Sequence, residues 1–220
     1  VKSKAIRQIA VESVSVTFAV GNTISTGSGG NTSVATIFAV ASGSGGSTLH
    51  IGPSTLNGSG SEFAAGDSIT ASGGATATIS SGGVGTAANE FTFTTSGGTE
   101  NLYLGTSLTI LGDRTHRFNV ADSSMSSLVF KLSTTVNGEW GPDGTAGNTD
   151  DGVEYTTGKT TNGTAGSSGA YIQYDLTANS SLASNYYYYE GTTGTAANSN
   201  FGGADRFIGT SSSYSYDSIF

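Results

Sequence analysis

The chain has no cysteine. Disulfides, thiolate metal sites and a cysteine nucleophile are excluded together, so stability has to come from packing and strand pairing. Histidine is almost as scarce: His50 and His116 are the two in the chain, too few for a three-histidine zinc site. Charge is thin, at 11% of residues, and eight Lys and Arg face sixteen Asp and Glu. Most of the cations sit at Lys2, Lys4 and Arg7 and again at Arg114 and Arg117, so no basic stripe is available to neutralise a phosphate backbone. Nucleic acid is excluded as a partner on that ground. No apolar run is long enough for a membrane-spanning helix, which argues against a membrane partner. A Gly-x-Ser-x-Gly nucleophile elbow is absent too, which weakens a Ser-His-Asp reading.

What the chain does have is 34 glycines with abundant Ser, Thr, Ala and Asn, set among ten Phe, ten Tyr and a regular scatter of Val, Ile and Leu. A disordered linker would not carry that apolar load, and 220 residues can build one large or two ordinary β domains. Helical periodicity is confined to a weak candidate at residues 2–10, where Ala5, Ile6 and Ile9 could share a face. Residues 13–20 alternate, with Val14, Val16, Phe18 and Val20 on one side, as in a half-buried strand.

Phe18-Ala-Val-Gly-Asn-Thr-Ile-Ser returns as Phe63-Ala-Ala-Gly-Asp-Ser-Ile-Thr and more loosely as Leu102-Tyr-Leu-Gly-Thr-Ser-Leu-Thr. Each copy predicts strand, turn, strand, with Gly21-Asn22 and Gly66-Asp67 as two-residue turns of type II′. Glycine clusters punctuate this half as loops do in a many-stranded sandwich. In the second half, 127–133, 153–157, 170–176 and 185–189 are strand candidates rich in aromatic and β-branched residues, which suggests two packed sheets. The expected fold is therefore all-β. Residues 1–112 form an N-terminal assembly segment and hairpin-rich β module, and residues 113–220 form a C-terminal β-sandwich.

Asp143, Asp150, Asp151 and Glu154 cluster in a Gly-rich loop and are candidate calcium ligands, although their spacing fits no EF-hand and Asp-Gly steps are ordinary turn chemistry. No other cofactor is indicated. The run Tyr186 to Tyr189 should alternate faces along a strand, one face entering the core and the other meeting a neighbour. Tyr187, Tyr189, Tyr214 and Tyr216 are candidate interface residues on this basis, joined by Trp140 in its Gly-Glu-Trp-Gly turn. Lys2, Lys4 and Arg7 are candidates for docking onto an acidic neighbour.

The order of motifs in the second half resembles a β-sandwich module of marine cyanophage structural proteins. The segments are His116-Arg-Phe-Asn-Val, Phe130-Lys-Leu-Ser-Thr, Gly152-Val-Glu-Tyr-Thr-Thr-Gly, Gly163-Thr-Ala-Gly-Ser-Ser-Gly-Ala-Tyr-Ile-Gln and Tyr186-Tyr-Tyr-Tyr. In that family the module looks cupredoxin-like, and a Tyr-Tyr-Tyr-Cys segment followed by His and Met-Gly-Gly closes it. Here Glu190-Gly-Thr-Thr follows the tyrosines, no Cys or second His comes after them, and Phe201-Gly-Gly matches Met-Gly-Gly only loosely. A type-1 copper site needs His and thiolate together and is excluded. Around Ala65-Gly-Asp-Ser-Ile-Thr the first half is similar to connecting β modules of marine phage proteins.

The resemblance implies a virion structural protein at the surface of a bacteriophage particle, a capsid decoration, neck or tail-associated subunit that works by assembly and is not an enzyme. Its implied partners are other virion proteins, further copies of itself or the major capsid protein. Two alternatives stay open beside it: a fibre or adhesin module that binds host surface glycan, and a glycan depolymerase working through two carboxylates.

Overall fold

A computed structural model describes residues 1–43, 46–94, 97–105, 108–177, 181–192, 201 and 205–210, and the structural statements below concern these. The described chain is all-β and divides into two compact units, Lys4–Leu102 and Tyr103–Phe220, the latter including Val1–Ser3.

The first unit is built from β1 (Lys2–Glu12), β2 (Thr23–Ser28), β3 (Asn31–Gly43), β4 (Gly46–Ile51), β5 (Thr55–Asn57), β6 (Ser68–Ala71), β7 (Thr76–Val84), β8 (Ala88–Thr94) and β9 (Glu100–Asn101). Strands pair in the order β4-β3-β2-β6-β7-β1, and β1 pairs back onto β4 from Arg7↔Ile51 to Val11↔Ser47, so six antiparallel strands close into a barrel. Alternation then fills the inside: Ile9, Ile24, Ile37, Leu49, Ile51 and Ile69 are each at most 1% exposed and form one cluster. Full burial of such side chains stabilises by roughly 1.5–3 kcal/mol each. The hairpin-rich module is thus a closed barrel, with β5 added on β3 and β8-β9 on β1.

Two expectations for this unit are corrected. Residues 2–10 are not helical: they lie in β1, because Ile9 and Val11 enter the barrel at a spacing of two and their backbone pairs with β4 and β7. Residues 13–20 are not a strand either. Val16 is 57% exposed, and Phe18 alone of the four is buried, plugging the barrel core from an irregular segment.

The first two copies of the repeat share one geometry, but the arm before each turn is irregular and the turn sits one residue earlier than expected, while the third copy, from Leu102, runs outside the described residues. Asn22 N–H donates to the Ala19 carbonyl and Asp67 N–H to the Ala64 carbonyl, which places Gly21 and Gly66, both at φ +86°, third in their turns. That is the type II position, where glycine avoids the Cβ clash of positive φ. Gly21 N–H then bonds the Ile37 carbonyl and Ile37 N–H bonds the Asn22 carbonyl. Gly66, Ile79 and Asp67 repeat the same two bonds. Each copy clamps the base of a hairpin, β2-β3 and β6-β7, with its Phe buried inside.

The second unit contains β10 (Leu108–Leu111), β11 (Thr115–Asn119), β12 (Phe130–Ser133), β13 (Lys159–Asn162), β14 (Tyr171–Asp175), β15 (Asn185–Glu190) and β16 (Arg206–Thr210). They form a four-stranded sheet, β10-β16-β15-β12, and a three-stranded sheet, β11-β14-β13. Aromatic side chains join the two: the Phe118 ring centroid lies 4.9 Å from Phe130 and 5.4 Å from Phe207. This is a β-sandwich with an aromatic core. Its segment 153–157, expected as a strand, makes a single bridge, Ser133↔Glu154.

The boundary falls at Leu102–Tyr103, ten residues before the expected one, because Gly112-Asp113 is only the turn between β10 and β11 and β10 pairs with β16. Val1–Ser3 belong with the sandwich, where the Val1 backbone nitrogen donates to the Asn119 carbonyl at 2.6 Å and Ser3 N–H to Ser124 Oγ at 3.1 Å.

Candidate functional site

The structure does not gather the four calcium candidates around a point. Asp143 accepts from Thr145 N–H at 2.8 Å and Asn148 Nδ2 at 3.0 Å, and Asp151 Oδ2 accepts from Gly147 and Asn148 N–H at 2.5 and 2.8 Å. Asp150 Oδ2 lies 3.4 Å from Asp143 N–H. These bonds tie the loop to itself. Glu154 turns away from them to Lys159, which it bonds, and to Lys131 Nζ at 3.7 Å. Among the described residues no group of three or more His, Asp or Glu is placed to hold a metal ion.

The interface candidates are also redistributed. Lys2, Lys4 and Arg7 each meet an acid of their own chain, Asp122 at 3.9 Å, Glu100 at 3.9 Å and Glu62 at 3.3 Å, so the basic segment is already neutralised locally. Trp140 is buried and its Nε1–H donates to the Glu190 carbonyl at 3.3 Å, which makes it an anchor for its loop and not a contact surface. Tyr189 is fully buried as well, contrary to an alternating outer face, because the 137–141 loop covers it. Gly138, at φ +55°, rests on the Tyr189 ring so closely that a Cβ there would stand 2.3 Å from it. Tyr187 keeps a partly open position, with the Arg206 guanidinium 5.4 Å from its ring. Tyr214 and Tyr216 lie outside the described residues.

Around Tyr189 a polar network fills the sandwich's flank. Lys131 Nζ bonds Glu139 Oε2 at 2.6 Å, and the Tyr189 hydroxyl donates to the same oxygen at 3.1 Å. Burial, followed by the Glu139 charge, pushes the Tyr189 phenol far above its ordinary range, and burial does the same to Tyr174. Both phenols are therefore neutral, Tyr189 as a donor to Glu139 and Tyr174 with its buried hydroxyl unpaired among the described residues. His116 Nε2 stands 2.8 Å from the Leu111 carbonyl and links the ends of β10 and β11.

Two features of the sandwich were not read from the sequence. The first is a cleft of about 280 Å³ lined by Val120, Leu128, Val129, Ala165 and Ile172, with Ser127, Thr161, Gly163, Thr164 and Thr192 completing it. It lies beside β13, an edge of the three-stranded sheet, and the segment that leads into β12. The second is Glu190, 0% exposed. Its Oε1 accepts from Val129 N–H at 2.7 Å and from Thr192 N–H at 3.1 Å and the Thr192 hydroxyl, and its Oε2 has no partner. Both donors of Oε1 line the cleft. The period-two pattern of β11 and β14 carried part of this signal, since it sets Val120 and Ile172 on the inner face.

No family model matches the chain, and no curated protein or solved structure matches it. Among the described residues no helix is long and apolar enough to cross a membrane. The fold defines the class, an all-β protein of a closed barrel and a sandwich.

Proposed function

We propose that this chain is a structural subunit of a bacteriophage particle, a capsid decoration, neck or tail-associated protein that acts by assembly and not by catalysis. The observation that carries the reading is the open side of the sandwich. In β13 the Asp175 N–H to Gly158 carbonyl bond, at 2.9 Å, fixes the alternation of the ladder with β14. Thr160↔Gln173 and Asn162↔Tyr171 are then the bonded pairs, and Thr161 turns its N–H and C=O away from β14 toward an edge that no described strand covers. The cleft beside that edge includes the Thr161 side chain.

An edge with free backbone groups beside an apolar recess suits strand addition: the neighbour's backbone pairs with β13 and one of its aliphatic side chains enters the cleft. Val129, 39% exposed, and Val153, 75% exposed, leave further apolar surface for a neighbour to bury. The strands β11, β12, β14 and β15 coincide with the segments that resemble the cyanophage module, which supports a ligand-less relative of that module in this position. The partners are other virion proteins or further copies of the chain.

Copy number in purified particles, measured by mass spectrometry, tests the reading: a shell or neck subunit is present in a fixed stoichiometry. Thr161→Pro removes the edge N–H at a position where a sheet tolerates proline, and Ala165→Trp fills the cleft. Both should keep the melting temperature within a few degrees and prevent incorporation. A particle that incorporates both variants normally, or a purified chain that stays monomeric while turning over a polysaccharide, sinks the proposal.

A further inference from the structure

The outer face of the three-stranded sheet carries a different chemistry. Register places Asn119, Tyr171 and Asn162 in one row across the strands and Arg117, Gln173 and Thr160 in the next, on the side opposite Phe118, Ile172 and Tyr174. Arg117, Asn119, Thr160 and Asn162 are exposed, and Tyr171 and Gln173 are half-buried.

Arg117 is held in place on this face. Its guanidinium carbon stands 4.0 Å from the centroid of the Tyr171 ring, and Nε and Nη2 both donate to Gln173 Oε1, at 3.1 and 2.9 Å. A guanidinium has five N–H groups, so three remain, including both on Nη1, at the end that suits a bidentate anion. Among the described residues no carboxylate comes within ion-pairing distance of Arg117, whereas Lys2, Arg114, Lys131 and Lys159 in the same unit are each paired. The nearest acid on this face by register is Asp175, opposite Thr115, and its Oδ1 is taken by the N–H and hydroxyl of Thr177. The amides beside Tyr171 are each half used. Asn119 Oδ1 accepts from Ala121 N–H at 2.9 Å, leaving Nδ2, and Asn162 Nδ2 donates to the Gly169 carbonyl at 3.1 Å, leaving Oδ1.

We infer that this face binds an acidic sugar residue of a polysaccharide, with its carboxylate or sulfate on the free end of Arg117. The stacked guanidinium and phenol provide the flat surface a pyranose ring lies against, and Asn119 Nδ2 and Asn162 Oδ1 offer one donor and one acceptor for its hydroxyls. Among the described residues this fixed cation has no carboxylate beside it, so its free end is complementary to one anionic group of a ligand. The two half-used amides suit sugar hydroxyls, and the few cations of the sequence form no stripe that would track a phosphate backbone. The site stands apart from the assembly reading and neither depends on it nor supports it.

Oligogalacturonate and a sulfated galactan oligosaccharide, titrated into the full chain by calorimetry and heteronuclear NMR, test the site against methyl-esterified oligogalacturonate and a neutral cello-oligosaccharide. An acidic oligosaccharide should bind, more weakly as salt rises, and shift the amides of β11, β13 and β14. Arg117→Gln and Tyr171→Ala should each weaken it at least tenfold without changing the circular dichroism spectrum, and esterification should weaken oligogalacturonate equally. Equal affinity for neutral and acidic oligosaccharides, an unchanged affinity in Arg117→Gln, tighter binding of a single-stranded oligonucleotide, or no binding of either acidic probe at millimolar concentration overturns the inference.

Discussion

The barrel and the sandwich solve the same problem in opposite ways. Both must hide backbone groups and apolar side chains with a sequence crowded by Gly, Ser and Thr. The barrel does it by closure: six strands pair around a ring, and Ile and Ala fill the narrow interior. The sandwich leaves β10, β12, β11 and β13 as sheet edges and relies on large rings, Phe118, Phe130, Tyr174 and Tyr188 among them, to hold its layers. Closed rings need little bulk per strand, whereas open layers need aromatic area. The difference bears on the proposed assembly, since the β13 edge and the cleft beside it belong to the open unit.

The largest expected effect that tests this contrast comes from the two cores. Phe130→Ala in the sandwich should cost about 3–5 kcal/mol and Ile37→Ala in the barrel about 2–5 kcal/mol. Hydrogen exchange should show each loss confined to its own unit, and a joint collapse of both would break the comparison.

A smaller effect tests the barrel's repeat. Gly21→Ala and Gly66→Ala force a side chain into the same positive φ and should each cost about 1–2 kcal/mol. Denaturant melts giving equal penalties support equivalent clamps, and a difference above 1 kcal/mol would show that only one of them holds.

The smallest effect is a pH response of opposite sign in the two units. Burial lowers the His50 pKa below 6.5, so the fold favours the neutral ring and the barrel loses stability as pH falls below about 6.5. Burial raises the Asp205 carboxyl to about 6, against the Gly105 N–H bond that favours its charge. The fold therefore favours protonated Asp205, and the sandwich gains stability as pH falls through 6 toward 4, by on the order of 1 kcal/mol after solvent screening. His50→Gln and Asp205→Asn should abolish the respective slopes in site-resolved exchange between pH 7.5 and 4.5. A sandwich that weakens over that window in a manner Asp205→Asn leaves untouched would contradict the second assignment.

Much of the sandwich was legible because β12, β14 and β15 fall within short runs of aromatic and β-branched residues, and in β14 the alternation survives folding. The barrel was legible only as hairpins. Its closing pair joins residues 7–11 to 47–51, and no local pattern in either stretch announces the other. The same distant pairing turned the ambiguous spacing of Ala5, Ile6 and Ile9 into a strand. At the candidate sites, residue type was a poor guide to direction: Glu154 belongs to the acidic run in sequence but to Lys131 and Lys159 in space. Four tyrosines in a row suggested an inside and an outside, yet the 137–141 loop covers Tyr189. Arg117 was visible as a cation, but Gln173 and Tyr171, more than fifty residues away, hold its side chain in place.

The barrel's ring is unevenly stitched. Five residue pairs join β1 to β4 and six join β3 to β4, whereas β2 and β6, which link the two clamped hairpins, share two, Ile24↔Ala71 and Ser25↔Thr70. Ser72 N–H on the Thr23 carbonyl, at 2.8 Å, adds one more stitch to that seam, so two hairpins each gripped by its own glycine latch are joined by a handful of backbone bonds.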